Sequence, residues 1–308
     1  MLDRNCRVRH EDHMNKLSPE KRKLILRCLV EGQSIRATAR TAEVSKNTVL
    51  KLFVAAAKAC ADFQDRMLID LSCRRVQVDE IWSCIYCKYK NVQRARSAPP
   101  EAGDVWTWTA ICADTKVVPS WRLGDRTTAT AIEFMDDLQA RLAHRVQLTS
   151  DGHNAYLEAV EGAFGGDVDY AMLVKHYGGL DKARTAEKKY SPPECTGIKK
   201  RIVEGRPDRE HISTSYVKRQ NLTMRMSMRR FTRLTNAFSK KVENHAHSVA
   251  LHFMHYNFCR KHRSLRMTPA MAAGVVDAPV TIEDIVQMVE ASDPKPGPRG
   301  PYRKRNSN

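Results

Sequence analysis

Two aspartates that stand inside or at the end of strand-like segments constrain this chain more than any other feature. The segment RRVQVDEIWS alternates apolar residues, which predicts a strand with Asp79 and Glu80 at its centre. The segment VQLTSDGH predicts a second strand that ends in Asp151, where Gly152 supplies a sharp turn. A carboxylate at a strand centre is costly to bury unless it is paired or binds a metal ion. The aspartates therefore predict a buried carboxylate site, although many strand-end aspartates only cap a turn or meet solvent.

The segments between these aspartates predict how the strands are connected. Two further strands are expected at Val105–Cys112 and Val117–Leu123, joined by a turn at Ala113–Lys116, and an amphipathic helix is expected at 129–143. The order strand, strand, strand, helix, strand is that of a ribonuclease-H-like domain, an α/β fold with a mixed sheet and flanking helices. In such a domain, carboxylates on the first and fourth strands lie side by side and hold divalent ions, Mg²⁺ or Mn²⁺.

The charge of the chain indicates a polyanionic partner. Lys and Arg number 52 against 35 Asp and Glu, which leaves a formal charge of +17. Basic side chains that neutralise phosphates release condensed counterions, so an excess of this size is typical of proteins that bind nucleic acid. A basic surface with no partner is the alternative interpretation.

The segment 17–60 predicts a helix-turn-helix DNA-binding domain. Ser18, Ser34 and Ser45 each precede a helical pattern and are suited to cap it, and Gly32 ends the first helix. Two short helices joined by a tight turn fit a helix-turn-helix, whose second helix enters the major groove. The side chains at the start of that recognition helix suit base edges and phosphates; they are Lys46, Asn47, Thr48 and Lys51. An ordinary three-helix bundle with solvated charges is the alternative.

The remaining segments complete the predicted organisation. No stretch reaches the roughly 18 apolar residues of a membrane helix, and the N-terminus lacks the apolar core of a signal peptide, so we expect a cytoplasmic protein associated with a bacterial nucleoid. The predicted segments are a polar leader (1–16), the helix-turn-helix domain (17–60), a ribonuclease-H-like catalytic domain (74–275) with an irregular insertion at about 175–215, and a short helix with a disordered basic tail (276–308).

Several stretches of the chain together resemble the insertion-sequence-one family of transposases and its near relatives. They include VQVDEIWS, DVWTWTAICADTKVVPSW, SYVKRQNL and HYNFCRKHRSLRMTPA. In that family a ribonuclease-H-like domain carries an Asp, Asp, Glu triad that cuts donor DNA and joins its 3′ ends to a target. The resemblance implies that Asp79 is the first acid and Asp151 the second, with Mg²⁺ or Mn²⁺ as cofactor. It also implies that the partners are terminal inverted repeats, target DNA and further copies of the chain.

The third acid of that triad is missing from the sequence motif that usually carries it. The family has a glutamate where SYVKRQNL has Lys218, and an ammonium group cannot ligate Mg²⁺ and would repel it. Glu243, on a later helix, is a candidate replacement, although a glutamate at a helix start is more often favoured only by the helix dipole. If it does not serve, the chain is a catalytically inactive relative that only binds DNA. The strip from Lys218 to Arg233 suits a DNA backbone, with candidate contacts at Arg219, Arg225, Arg229, Arg230 and Arg233.

Other patterns point weakly to other functions. A helix-turn-helix regulator with a ligand-sensing C-terminal half is a rival, and the strand order weighs against it. Cys84 and Cys87 form half of a zinc motif, and no second CxxC follows to complete four ligands. The sequence predicts a return to helix at 216–262. Four histidines on one predicted helix of this region fit core and surface positions better than a ligand set; they are His245, His247, His252 and His255.

Overall fold

A computed structural model describes residues 17–177, 195–232 and 236–292 of the chain. The predicted leader, the centre of the predicted insertion, Arg233 and the predicted basic tail lie outside the described residues. The helices are α1 (Pro19–Val30), α2 (Ile35–Thr41), α3 (Lys46–Met67), α4 (Thr128–Ala140), α5 (Ala155–Phe164), α6 (Ser215–Ser227), α7 (Val242–Met254), α8 (Pro269–Ala272) and α9 (Ile282–Ser292). The strands are β1 (Arg75–Ile85), β2 (Gly103–Cys112), β3 (Trp121–Gly124), β4 (Val146–Ser150), β5 (Val168–Tyr177) and β6 (Cys195–Glu204).

The six strands form one mixed sheet in the order β3-β2-β1-β4-β5-β6. Strand β2 runs antiparallel to both β1 and β3, whereas β4 is parallel to β1 and β5 is parallel to β4. Parallel neighbours require a crossover, and helices α4 and α5 supply the crossovers before and after β4. This is the predicted ribonuclease-H-like α/β arrangement with flanking helices, so the expectation for the fold class is confirmed for the sheet.

Apolar side chains cover both faces of the sheet, because β1 alternates between two separate clusters. Val76 and Val78 join a core that includes Trp108, Phe134 and Tyr156 and lies under α4 and α5. Ile81 faces the opposite way, into a second cluster with side chains from α6 and α7. Strand β1 therefore packs against apolar clusters on both of its faces, as is typical of a strand at the centre of a sheet.

The three N-terminal helices begin at the predicted caps. The hydroxyls of Ser18, Ser34 and Ser45 accept hydrogen bonds from the backbone three residues later, at 3.3, 3.1 and 3.1 Å. Gly32 takes a left-handed conformation with φ +79°, and a Cβ there would meet the Ser227 carbonyl oxygen at 2.5 Å. Glycine is therefore needed where the turn after α1 touches the end of α6.

Helix α3 extends to Met67, beyond the predicted end of its domain at residue 60. Helix α3 packs against α7 and α9, and the α1 side chains Arg22 and Lys23 form ion pairs with Glu290 and Glu283 of α9. The three N-terminal helices are thus docked on the rest of the described structure.

The prediction of an irregular insertion at about 175–215 is wrong for its second part. Residues 195–204 form β6, which pairs antiparallel with β5. Its side chains are almost all exposed, since β6 lies at the edge of the sheet. Backbone hydrogen bonds hold such a strand, and exposed lysines protect its open edge. An apolar periodicity is therefore absent from its sequence.

Two other segments differ from the sequence prediction. The strand expected at Val117–Leu123 is shortened to β3, because Val118 exchanges two hydrogen bonds of 2.9 Å with the Asn257 side chain instead of with a strand. The helical region expected at 216–262 is divided into α6 and α7, and the chain between them includes a 3₁₀ turn at Arg229–Phe231. No helix among the described residues has the length and apolar character needed to cross a membrane.

Candidate metal centre

The parallel pairing of β1 with β4 brings Asp79 and Asp151 together. The register places Gln77 opposite Thr149, so two residues further along each strand the two aspartates reach the same level. Asp79 lies within β1, and Asp151 directly follows the last residue of β4. Aligned parallel strands carry the two side chains to one edge, as the strand order predicts.

Glu80 joins the two aspartates. One carboxylate oxygen from each of Asp79, Glu80 and Asp151 lies within 4.8 Å of the others, and this is the one group of three or more such ligands in the described ranges. Sequence analysis did not select Glu80 as a ligand, because consecutive residues of a strand point to opposite faces. The available signal was its position beside Asp79 at the centre of a buried strand.

Asp79 is held by two side chains from α6. Its Oδ2 accepts a hydrogen bond of 2.8 Å from Asn221 Nδ2 and lies 3.4 Å from Lys218 Nζ. Burial raises the pKa of Asp79 to about 6; the Lys218 ammonium opposes that rise, and the Glu80 and Asp151 carboxylates add to it. The position that the family resemblance assigns to a glutamate is therefore occupied by a cation in direct contact with the first acid.

Glu80 lies on the other side of the group and has its own partners. Arg126 Nη2 is 2.6 Å from Glu80 Oε1, and the Tyr156 hydroxyl donates a hydrogen bond of 3.1 Å to Oε2. Burial raises the pKa of Glu80, as does the charge of Asp151, and Arg126 opposes that rise. Asp151 accepts a hydrogen bond of 3.0 Å from the backbone of His153, which fixes the turn after β4.

The donor set fits a hard divalent cation. Carboxylate oxygens are the ligands that Mg²⁺ and Mn²⁺ prefer, and three of them need only small movements to share one ion. Asn221 offers a further oxygen, because its Oδ1 is buried and has no hydrogen-bond partner among the residues described. The Lys218 ammonium competes with such an ion for Asp79.

The structure does not bring Glu243 to the acidic group. Glu243 is exposed in the first turn of α7, and His245, two residues later, contacts β1 at Ser83. Ser83 is four residues beyond Asp79, or roughly 13 Å along an extended strand. The expectation that Glu243 supplies a third acid is therefore not met, and Glu80 stands in the group instead.

The arginines predicted to contact DNA have different environments. Arg219 and Arg229 are exposed and Arg225 is half-buried. Arg230 is an exception, because it points inward and donates to Ser239 Oγ at 2.7 Å and to the Asn244 carbonyl at 3.3 Å. Burial lowers the pKa of Arg230 to about 10. Arg230 therefore ties α7 to the chain before it and is not a surface contact, which corrects its assignment to DNA.

The residues predicted for base recognition lie at the N-terminal end of α3. Lys46, Asn47 and Lys51 are exposed, and no acidic residue occupies the first turn of this helix. Thr48 is half-buried, and its hydroxyl lies 2.9 Å from that of Ser45. Lys46 and Lys51 therefore place two exposed cationic groups in the first two turns of α3.

Solved structures include chains that are similar to this one. The chain is similar to a solved structure described as "Crystal structure of a pre-cleavage Mos1 transpososome", with 14% sequence identity and a TM-score of 0.21. The similarity covers 52% of this chain and 61% of that chain, so it spans less than two thirds of the matched protein. No family model and no curated protein matches the chain.

Proposed function

We propose that this chain is a metal-dependent protein of DNA strand cleavage and strand transfer, of the transposase type. The observation that carries the proposal is the acidic group of Asp79, Glu80 and Asp151 at adjacent strands of a ribonuclease-H-like sheet. The finer assignment to the insertion-sequence-one family rests on its resemblance in sequence stretches such as VQVDEIWS and SYVKRQNL.

The acidic group would hold a divalent ion, Mg²⁺ or Mn²⁺, through its three carboxylates. Such an ion supplies activation of the attacking water or hydroxyl and stabilisation of the leaving oxygen of a phosphodiester. The chain contributes the alignment of these carboxylates, which β1 and β4 hold at one level, while Tyr156 and Arg126 orient Glu80.

DNA would be held by two sets of exposed basic side chains. The exposed start of α3, with Lys46, Asn47 and Lys51, suits recognition of the terminal inverted repeats. Arg219 and Arg229 suit the backbone of donor or target DNA. Pairing of two element ends requires a second copy of the chain, so we expect a homo-oligomer on DNA that works at the bacterial nucleoid.

A second function is favoured by one specific contact. Because Lys218 Nζ lies 3.4 Å from Asp79 Oδ2, the first acid already has a cationic partner where a metal ion would bind. At 4 Å, opposite unit charges interact by about 4 kcal/mol at an effective dielectric of 20, and repulsion of a divalent ion is about twice that before solvent screening. The second candidate is therefore a DNA-binding protein without cleavage activity.

A strand-cleavage assay with Mn²⁺ on DNA that carries the element ends separates the two functions. Wild type, Asp151→Asn and Lys218→Glu are compared, with Glu243→Gln as a matched control outside the acidic group. If the chain is an active enzyme, wild type and Glu243→Gln cut equally, and Asp151→Asn loses activity by 100-fold or more.

The same assay identifies an inactive relative. In that case wild type does not cut, and Lys218→Glu restores cleavage because the substitution replaces a repelling charge by a ligand. Loss of cleavage in Glu243→Gln alone would contradict the assignment of the site to Asp79, Glu80 and Asp151. If DNA bearing the ends neither binds nor is cut by any variant, both functions are rejected.

A further inference from the structure

A basic cavity lies on the flank of α6 away from the acidic group. Helical residues turn by about 100° per position, so Lys218 and Asn221 share one side of α6, whereas Arg219 and Thr223 share another. The second side opens into a cavity of about 380 Å³, which we call the α6 basic pocket. Its basic lining residues are Lys116, Arg219, Arg260, Lys261, His262 and Arg263.

The lining of this pocket does not neutralise its basic side chains by ion pairs. No aspartate or glutamate lines it. In the described parts of the chain, none of the side chains of Arg219, Arg260, Lys261 and Arg263 forms an ion pair. Like charges gathered in one concave site repel each other, and an anion in the cavity would relieve that repulsion.

A buried donor also lacks a partner in the pocket wall. Gln220 is 2% exposed and lines the cavity, and its Nε2 is buried with no hydrogen-bond acceptor among the described residues. An unpaired buried amide is costly, and a bound oxygen atom would satisfy it. Gln220 therefore indicates an acceptor-bearing ligand independently of the surrounding charge.

The pocket is built on a constrained backbone. The chain forms a π-helical turn at His255–Cys259, directly before Arg260. The Asn257 side chain within that turn forms two hydrogen bonds with the backbone of Val118. The Tyr256 hydroxyl donates a hydrogen bond of 3.1 Å to the Lys116 carbonyl. Turns of this kind are frequent at functional sites. Here the turn joins the segment bearing Arg260 to the segment bearing Lys116.

The side chains that line the α6 basic pocket favour binding of a phosphate group over binding of a nucleobase. Guanidinium groups present paired donors that match phosphate oxygens. The exposed Tyr216 and the buried Tyr256 both line the pocket. The Lys116 ammonium lies 3.3 Å from the centre of the Tyr216 ring. That face is therefore not available for stacking on a nucleobase.

We propose that the α6 basic pocket binds a backbone phosphate of DNA on the side of α6 opposite the acidic group. This proposal rests on the proposed function, since it takes DNA as the substrate. The helix would then lie between two points of one DNA molecule, with one phosphate in the pocket and the scissile region at Asp79.

The test is a DNA-binding titration of the full chain across salt concentrations, with a duplex oligonucleotide as probe. Arg260→Gln/Arg263→Gln is compared with wild type and with Arg66→Gln/Arg94→Gln, which removes the same charge from exposed positions outside the pocket. We expect the pocket variant to lose at least tenfold in affinity and its salt slope to fall by about one, because the contact with one phosphate is lost. Equal losses in both double variants would overturn the pocket.

The variant Gln220→Leu provides a second test, which separates a loss of DNA binding from a loss of folding. Removal of an unsatisfied donor should leave the melting temperature of the free protein unchanged or raised, while DNA affinity falls on the order of tenfold. Unchanged affinity in a stable Gln220→Leu protein would contradict the role of this donor.

Titration of inorganic phosphate by calorimetry separates a backbone phosphate from a free one. Competition between phosphate and DNA in wild type, lost in the pocket variant, supports a shared site. Phosphate binding without any DNA binding would reject the proposed function and the DNA source while retaining an anion site. If wild type binds DNA and the pocket variant has the same salt slope, only the pocket proposal fails.

Discussion

Two buried polar regions lie along the same strand, and they are satisfied in different ways. Near the end of β1, Ser83 belongs to a chain of hydrogen bonds in which Arg230 donates to Ser239, Ser239 to His245, and His245 to Ser83. Ser83 then donates to the Val105 carbonyl at 3.3 Å. Each group in this chain has a partner, in one consistent direction of donation.

Four residues earlier, Asp79 has neighbours that increase its cost of burial. Glu80 and Asp151 both raise the pKa of Asp79, and the partial compensation by Lys218 comes from a side chain that is 40% exposed. A closed network stabilises the fold, whereas crowded carboxylates lower stability unless a cation is added. The Ser83 region therefore stabilises the fold, whereas the Asp79 region is left with crowded carboxylates that a cation would balance.

Acid titration should change the free energy of unfolding most. Two buried histidines of α7 and the buried Asp79 should respond with opposite signs. Burial lowers the pKa of His245 and of His252 to about 3. The unfolded histidines have a pKa of about 6.5, so the unfolded chain binds protons first, and stability present above pH 6.5 is lost as pH falls toward 3. For the pair this loss is about 5 kcal/mol between pH 7.5 and 4.5.

Asp79 offsets part of that loss. Its folded pKa of about 6 lies above the unfolded value of 3.8, so its destabilising effect is absent at low pH and grows as pH rises through 6. Protonation should therefore return about 2 kcal/mol over the same pH range. Urea unfolding as a function of pH measures both effects, and a steeper acid loss in Asp79→Asn than in wild type is expected.

Truncation of His245 should have the next largest effect. His245→Ala removes the side chain that Ser83 and Ser239 share as a hydrogen-bond partner in a buried site. This loss should lower the free energy of unfolding by about 3 kcal/mol. His144→Ala, at an exposed position, is the matched control and should change it by less than about 0.5 kcal/mol. Equal effects in chemical denaturation would show that the Ser83 network does not stabilise the fold.

Asp79→Asn should stabilise the protein at neutral pH. The substitution removes a charge whose pKa is raised by about two units, which corresponds to about 2 to 3 kcal/mol, and keeps an acceptor for Asn221. The measurement is chemical denaturation at pH 7.5 in the presence of a chelator, with Glu243→Gln as a control that stays near wild type. Destabilisation by Asp79→Asn would mean that Lys218 already compensates the acid fully.

Divalent ions should have the smallest effect on stability. At an ion concentration tenfold above the dissociation constant, binding adds about 1.4 kcal/mol, or about 2 to 4 °C in melting temperature. Mn²⁺ should raise the melting temperature of wild type, raise that of Lys218→Ala further, and leave Asp151→Asn unchanged. A larger Mn²⁺ shift in wild type than in Lys218→Ala would reject competition between the ammonium and the metal ion.

Local patterns predicted the parts of this fold that depend on short sequence separations. The alternation around Asp79 predicted β1, and serine before an amphipathic run predicted the starts of α1, α2 and α3. The edge strand β6 was missed, because its exposed side chains lack the apolar alternation on which such predictions depend. Arg230 was misassigned for a related reason: its position in a basic run does not reveal that it points inward.

The sequence by itself determined that Asp79 and Asp151 stand on neighbouring strands, because the order of strands and helix permits few arrangements of the sheet. It also determined the basic charge and the lysine at position 218. Only the tertiary structure decided which groups touch: Lys218 meets Asp79 across 139 residues, Glu80 enters the acidic group, and Glu243 stays outside it. The physical reason is that contacts between distant residues are set by how helices pack on the sheet, and local periodicity carries no information about that packing.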